Sequence, residues 1–510
     1  MNKLVFAAAL FLGCAGTTYA ADYPVPMKAA VLTKAPAEPP SPAPCYTLQD
    51  FIFTGCQLTW NGVRFYGTID MGYGYQTHGA PLGPFFTPGA SYLLQKMNRS
   101  PIWTLSPNAL SVSNLGIQIK EPLTNGWSFV AQLEGGFDPY SLEWSDSAHA
   151  EFKNIGVPVN QQTTNGDAPR GGQFYNGFGF VGISSEAYGT LTFFRQNALT
   201  ADGVNAYDPM AGSNAFSPLG FQTAFAGGGD QQNAKYTTSV KYRVNIGDYR
   251  AAGLWQFGGY EQNNGSDGAW EGQLGADIRN LGPGTLSFDA FYEYNRDAVL
   301  MTLAGAPTNA QGVPIGKMLP QTLTATLSNN TAVMAAAKYT VDKLKLYAGY
   351  EWMQYAPPSD PFTIKGTGFT NIAGDFICFG CNTATGGTNI NSTAFSGSAG
   401  FKDKIFQLIW VGARYSVTDN LDVVGAYYHY WQNTFAASPA NITACTALPA
   451  SKNNFCVGTV DAASALIDWK FAPKWDTYVG TMFSQFNGGL DTAFLARNNL
   501  ATTAGVRFRF

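Results

Sequence analysis

Charge is scarce in this chain: Asp, Glu, Lys and Arg make up 13% of its 510 residues, about half the share of an ordinary soluble domain. Something other than a charged surface keeps it in its proper phase. The formal net charge is only −4, which argues against nucleic acid as a partner. Histidine is scarcer still. Only His78, His149 and His429 are present, so neither a nucleophile–histidine pair nor a metal cluster has support, and no cofactor or enzymatic activity is expected. The GGGD stretch, Gly227 to Asp230, lacks the Lys-Ser/Thr of a phosphate loop and reads as a hinge. Long apolar runs are missing too, since no stretch offers the roughly 18 residues that a membrane helix needs.

Glycine, proline and aromatic rings are plentiful, with 57 Gly, 28 Pro and 14% aromatic residues; such a composition favours many turns over long helices. Residues 1–20, MNKLVFAAALFLGCAGTTYA, place a lysine before a short apolar run and small residues before Ala21, and read as a secretory signal cut after Ala20. Residues 21–57 read as a Pro-rich periplasmic leader with a local disulfide; KAPAEPPSPAP within it buries almost nothing. Cys14 leaves with the signal. The remaining cysteines fall into local pairs, Cys45 with Cys56, Cys378 with Cys381 and Cys445 with Cys456, which an exported chain can oxidise. Cys378-x-x-Cys381 could also be a redox motif or half a zinc site, but no second ligand pair or nearby histidine completes a metal set.

From residue 58 to 510 the chain alternates. In VRFYGTIDMGYGY, Val63, Phe65, Ile69, Met71, Tyr73 and Tyr75 share one face, and Arg64, Tyr66, Thr68 and Asp70 share the other. AWEGQLGADIR and TLSFDAFYEYN repeat the pattern, and about sixteen such strands can be laid from 62–75 through 110–121 to 500–510. The gaps between them alternate between tight turns, such as 281–283 and 472–474, and long connections, such as 76–109, 138–173, 197–232 and 356–403. A soluble sandwich has no reason to sort its loops by end. A transmembrane antiparallel β-barrel does, with short periplasmic turns and long external loops, and closure satisfies every backbone group in lipid. A barrel of about sixteen strands is too wide for its own side chains to fill, so an aqueous channel remains.

Specific stretches add a resemblance. NALSVSNLGIQIKEPLTNGWSFVAQLEGGF (Asn108 to Phe137), FGFVGISSEAYGTLTFFRQ (Phe178 to Gln196) and the closing GVRFRF resemble strands of the Gram-negative general porins, the trimeric, sixteen-stranded kind, and VRFYGTIDMGYGY is similar to their first strand. The resemblance implies a Gram-negative outer-membrane channel for passive diffusion of small hydrophilic solutes and ions, and a homotrimer. It implies that Phe510 is the terminal aromatic read by the barrel-assembly machinery, with Val506, Phe508 and Phe510 toward lipid and Arg507 and Arg509 toward water. It also implies that the third long loop folds into the pore, bringing Asp202, Asp208 and Asp230 to a constriction. Alternation places the facing cations Arg64, Lys120, Arg195, Lys235, Lys241 and Arg243 on the water side. Asn114, Gln118 and Gly177 stand where the family usually has basic residues, so weak or mixed ion selectivity is expected. Two alternatives remain: a substrate-preferring channel, and a barrel that anchors an adhesin or receptor.

Overall fold

The computed structural model of this chain describes residues 44–78, 101–140, 142, 177–219, 235–259, 266–301, 325–356, 359, 403–434, 457–488 and 496–510. A short helix, α1 (Leu48–Phe53), precedes β1 (Leu58–Trp60), β2 (Val63–Gln76), β3 (Ile102–Pro107), β4 (Asn114–Pro122) and β5 (Trp127–Gly136). Then follow β6 (Gly179–Ser185), β7 (Gly189–Asn197), helix α2 (Leu199–Tyr207), β8 (Lys235–Ile246), β9 (Tyr249–Gln256), β10 (Gly268–Leu281) and β11 (Gly284–Met301). The last run is β12 (Ala325–Val341), β13 (Leu344–Ala356), β14 (Lys404–Thr418), β15 (Leu421–Gln432), β16 (Gly458–Ala472), β17 (Trp475–Gly488) and β18 (Asn498–Arg509).

Of these 18 strands, β3 and β4 share one place in the wall and β1 is a short addition, which leaves a closed antiparallel barrel of sixteen positions. Strand β18 closes the cylinder on β2, with Val506 opposite Met71 and Arg507 opposite Asp70. Phe510 and Gly67 exchange both backbone hydrogen bonds, at 3.0 and 3.1 Å. Closure leaves no edge strand in the wall, the condition for a β-structure to sit in hydrocarbon. The two faces divide as the alternation predicts: Met71, Tyr73, Val181, Ile409, Val479 and Val506 are exposed outside, while Asp70, Glu134, Asp289, Glu351 and Arg507 are buried inside. Tight turns join β4 to β5, β6 to β7, β8 to β9, β10 to β11, β12 to β13, β14 to β15 and β16 to β17, all at one end. Asn125 and Gly126, φ 59° and 75°, make the first of them in the left-handed region that Asn and Gly tolerate best.

Three local departures from strict alternation matter. First, the strand expected at 110–121 begins only at Asn114, and β3 lies within the connection expected at 76–109. Strand β3 pairs with residues 71–76 of β2 and β4 with residues 63–68, and residues 108–113 between them turn into the barrel. Asn108 takes φ 56°, and the Asp70 carboxylate accepts from the N–H groups of Leu110 and Ser111 at 2.8 and 2.7 Å. A buried carboxylate thus replaces the ladder partners that those amides would otherwise have. Second, Phe194 adopts φ 84° at a register shift, so Phe193 and Phe194 both face out and Arg195 is buried within. Third, Thr238, φ 45°, slips the alternation of β8, since Tyr236 and Ser239 are both buried inside.

The Cys45–Cys56 disulfide is formed, and it closes a loop that contains α1. The signal segment, the leader up to residue 43, and the pairs Cys378/Cys381 and Cys445/Cys456 lie outside the described residues.

Candidate functional site

The site is the lumen and the part of the third long connection that lies inside it, Ala198 to Leu219. Its helix α2, LTADGVNAY, has no side-chain cap, because Ala198 offers no oxygen. The wall supplies one: Glu271 of β10 accepts from the Leu199 N–H at 2.5 Å, and Thr200 donates to Glu293 of β11 at 2.7 Å. Gly203 lets the helix lie close to the wall here, since a Cβ at that position would displace the tips of Met334 and Phe291. Behind α2 lies a dry layer. Phe291, Met334, Phe406, Leu408, Trp410, Tyr428, Val460 and Met482 face inward yet are almost wholly buried; the loop meets Phe291 and Met334 through Gly203 and bonds Trp410 and Tyr428.

Polar anchors hold the rest of the loop. Trp410 donates its indole N–H to the Tyr207 carbonyl at 3.0 Å. The Tyr207 hydroxyl meets Asp289, and Arg250 bridges it (2.8 Å) to Asp277 (2.8 Å) and Asp289 (2.8 Å). Arg414 donates to the Pro209 carbonyl at 3.1 Å. At the far end Ala215 and Asn214 donate to the backbone of Ala109 and Asn108 at 2.9 and 2.8 Å. The inward break between β3 and β4 is therefore the dock for the loop's tip. Phe216 packs edge-on to Tyr478, 6.1 Å between centroids, over Gly480, where any side chain would collide with it.

Asp202 and Asp208 both belong to this loop, and neither presents an open charge to the lumen. Asp202 lies between Lys241, 3.3 Å away, and Arg243, with the side chains 9%, 4% and 11% exposed respectively. Asn197 also donates to it at 2.9 Å. Burial opposes ionisation of Asp202, but the charges of Lys241 and Arg243 outweigh it and hold the carboxyl below the ordinary range. Asp208 makes no ion pair among the described residues. It accepts from Tyr428 at 2.6 Å and from the amides of Gly212 and Met210 at 2.7 and 3.2 Å, and burial pushes its carboxyl up. Asp230 lies outside the described residues. Among the described loop residues Asn205 and Ala206 are exposed and Asp202, Ala211 and Gly212 half-exposed; of these only Asp202 is charged, and its side chain rests on Lys241 and Arg243.

The remaining basic residues scatter. Arg64 is half-buried on the inner face of β2 and Lys120 is exposed near the end of β4. Arg195 donates to the Gly177 carbonyl at 2.9 Å, and Lys235 stands 5.1 Å over the Phe178 ring. Sequence reading passed over several cations that face inward. Arg250 and Arg414 anchor the loop, Lys338 donates to the Ala206 carbonyl at 3.3 Å and stands 5.6 Å over the Tyr207 ring, and Lys345 and Lys470 stand toward the turn end. Their inward parity was legible, but nothing in the sequence reveals which of them touch the loop. Of the histidines, His429 pairs with Asp461 at 2.8 Å on the outer face, His78 bonds the Asn498 carbonyl at 2.8 Å, and His149 lies outside the described residues. Among the described residues no group of His, Cys, Asp or Glu could hold a metal ion.

A closed cylinder, apolar outside and charged within, with one loop folded inward, is the architecture of an outer-membrane channel. The chain belongs to the Gram-negative porins, whose family model matches residues 7–430. It therefore lies in the outer membrane and passes small solutes by passive diffusion. Its fold is similar to that of the anion-selective porin from Comamonas acidovorans, with 14% identity over 88% of this chain and 99% of that one and a TM-score of 0.53. A loop L8 deletion mutant of OmpT from Vibrio cholerae gives 13% identity, 88% and 99% coverage and a TM-score of 0.50. No curated protein matches the chain.

Proposed function

We propose that this porin is a general, weakly selective diffusion channel in which the segment Ala198 to Leu219 forms the narrow zone. The observation that carries this reading is how little free charge that segment shows: Asn205, Ala206, Ala211 and Gly212 are exposed or half-exposed and uncharged, while Asp202 is held between Lys241 and Arg243. A narrow zone lined this way excludes by size more than by charge. Loop carboxylate and wall cations meet directly instead of opposing each other across open water, so little transverse field is left there. The anion selectivity named for the Comamonas porin is not expected to be strong here. No catalytic step enters, because passage down a gradient needs none.

We also infer a homotrimer, in line with the resemblance, whose contacts would use the outer face of the first and last strands and the second long loop. Assembly would follow reading of Phe510 by the barrel-assembly machinery. That reading must precede closure, because in the folded chain the Phe510 ring lies over Gly67 and against Phe51.

Conductance of the refolded protein in planar bilayers, in two salts and with its mass in detergent, tests the whole reading. Steady conductance for many solutes, with a reversal potential well short of ideal for either ion, is expected. Near-ideal selectivity, block by one solute, or no conductance would each refute it, the last favouring a barrel-anchored receptor.

A further inference from the structure

On the turn-end side of the loop, the inner wall carries a group of cations drawn from adjacent strands: Lys338 from β12, Lys345 from β13 and Arg414 from β14. The register sets Lys345 directly opposite Arg414, and Lys338 opposite Tyr347, the next inward residue of β13. At the usual spacing of strands and residues, the backbone positions that carry the group lie within about 12 Å. Like charges placed directly opposite in a sheet repel, so the pairing of Lys345 with Arg414 costs the wall stability that an acidic or neutral partner would not.

Nearby carboxylates are already engaged. Asp422 meets Arg414 at 3.2 Å and accepts from Ser416 at 2.6 Å. Asp277 and Asp289, on the β10 and β11 flank, are both held by Arg250 at 2.8 Å. Among the described residues neither Lys338 nor Lys345 pairs with a carboxylate. Lys345 is exposed, and Lys338 is half-buried against the loop.

The same contacts locate the group along the pore. Lys338 and Arg414 donate to the Ala206 and Pro209 carbonyls at 3.3 and 3.1 Å. A Cβ on Gly412, the inward residue next to Arg414 on β14, would run into the Pro209 ring. These cations therefore form the lower lip of the narrow zone. Lys345 stands one rung nearer the turns, in the periplasmic mouth, so a solute that has cleared Asn205 and Ala206 meets the group next.

Resting on the channel reading above, we propose that Lys338, Lys345 and Arg414 form a weak subsite for small doubly charged oxyanions, on the periplasmic side of the narrow zone. The loop still sorts solutes by size, and the subsite gives an anion of the phosphate class a place to pause once through. Arg414 keeps N–H groups beyond those it spends on Asp422 and Pro209, and the two ammonium groups add point charges. A bound dianion also relieves the repulsion between Lys345 and Arg414. Binding is weak because a channel solute has to leave.

The test is acetylation of the folded, full-length protein in detergent by a small neutral reagent, with inorganic phosphate or chloride at equal ionic strength and the extent at each lysine read by peptide mass spectrometry. Lys343, in the adjoining turn and 3.6 Å from Asp419, is the internal reference. For a dissociation constant of about 1 mM, about 10 mM phosphate should slow acetylation of Lys345 about tenfold relative to chloride and leave Lys343 unchanged. Lys338→Gln should remove most of that protection, and Lys343→Gln none of it. Equal slowing at Lys343 and Lys345, or equal loss in the two variants, would reveal general screening at the mouth and overturn the subsite. No difference between phosphate and chloride at Lys345 would overturn it too. Lys345 left unlabelled while Lys343 reacts would instead show a mouth closed to water, and sink the channel reading beneath the proposal.

Discussion

Replacing Asp202 by Asn removes the carboxylate that meets two cations which the wall and loop hide from water. Lys241 and Arg243 are 4% and 11% exposed, so the charge left behind is poorly screened, and breaking one side of such a buried pair costs about 3–5 kcal/mol. At about 1.4 kcal/mol per factor of ten, even the lower figure shifts the balance between held and released states by roughly two orders of magnitude. The whole loop does not leave, because Trp410, Tyr428 and Arg414 hold it further along. What yields is the first turn of α2, and Lys241 and Arg243 then gain water beside the lumen. The local charge there changes from +1 to +2, counting Lys241, Arg243 and Asp202 as ionised. Reversal potentials of the reconstituted D202N channel in a KCl gradient should move toward chloride, with more open-channel noise. Adding Lys241→Met should reverse part of the shift, since neighbours in one network do not act additively. A chloride-to-potassium permeability ratio equal to that of the unmodified channel would refute the reasoning.

Three further outcomes are expected. Trp410→Ala removes a fully buried ring and the hydrogen bond to Tyr207; a loss of about 3–5 kcal/mol of packing should loosen the loop and raise single-channel conductance without dissolving the barrel in detergent. Asp476→Asn strips the buried partner from Arg507 and Arg509 at 3.1 and 2.8 Å, and a cost of about 3 kcal/mol or more at the seam should lower the temperature at which the barrel loses its compact gel mobility. Acid should act in two stages. The raised carboxyl of Asp208 destabilises the loop once ionised, so lowering pH through its folded value adds stability; the depressed carboxyl of Asp202 contributes fully above the unfolded value of about 3.9, and that contribution is lost as pH falls through its own lower value. A change in selectivity confined to strongly acid solution and missing from D202N would match; a change centred near neutrality would not.

Alternation and spacing by themselves determined most of the wall. An extended strand puts neighbours on opposite faces, and a lipid-facing barrel must keep one of those faces apolar, so Val506 outside and Arg507 inside could be assigned residue by residue. The sorting of short and long gaps likewise fixed which ends of the strands meet. Only the folded chain decided where that rule slips. The bulges at Phe194 and Thr238 and the break at Asn108 depend on backbone angles that neighbouring strands impose, and such angles leave no periodic trace. Nor could a sequence reveal that inward positions such as Phe291, Met334 and Trp410 stay dry, since a loop arriving from far along the chain packs on them. The same holds for Asp202. Its residue type announced a charge near the pore, but whether that charge opposes the wall cations across water or rests on them is a matter of a few ångströms, set by how α2 packs against β10 and β11.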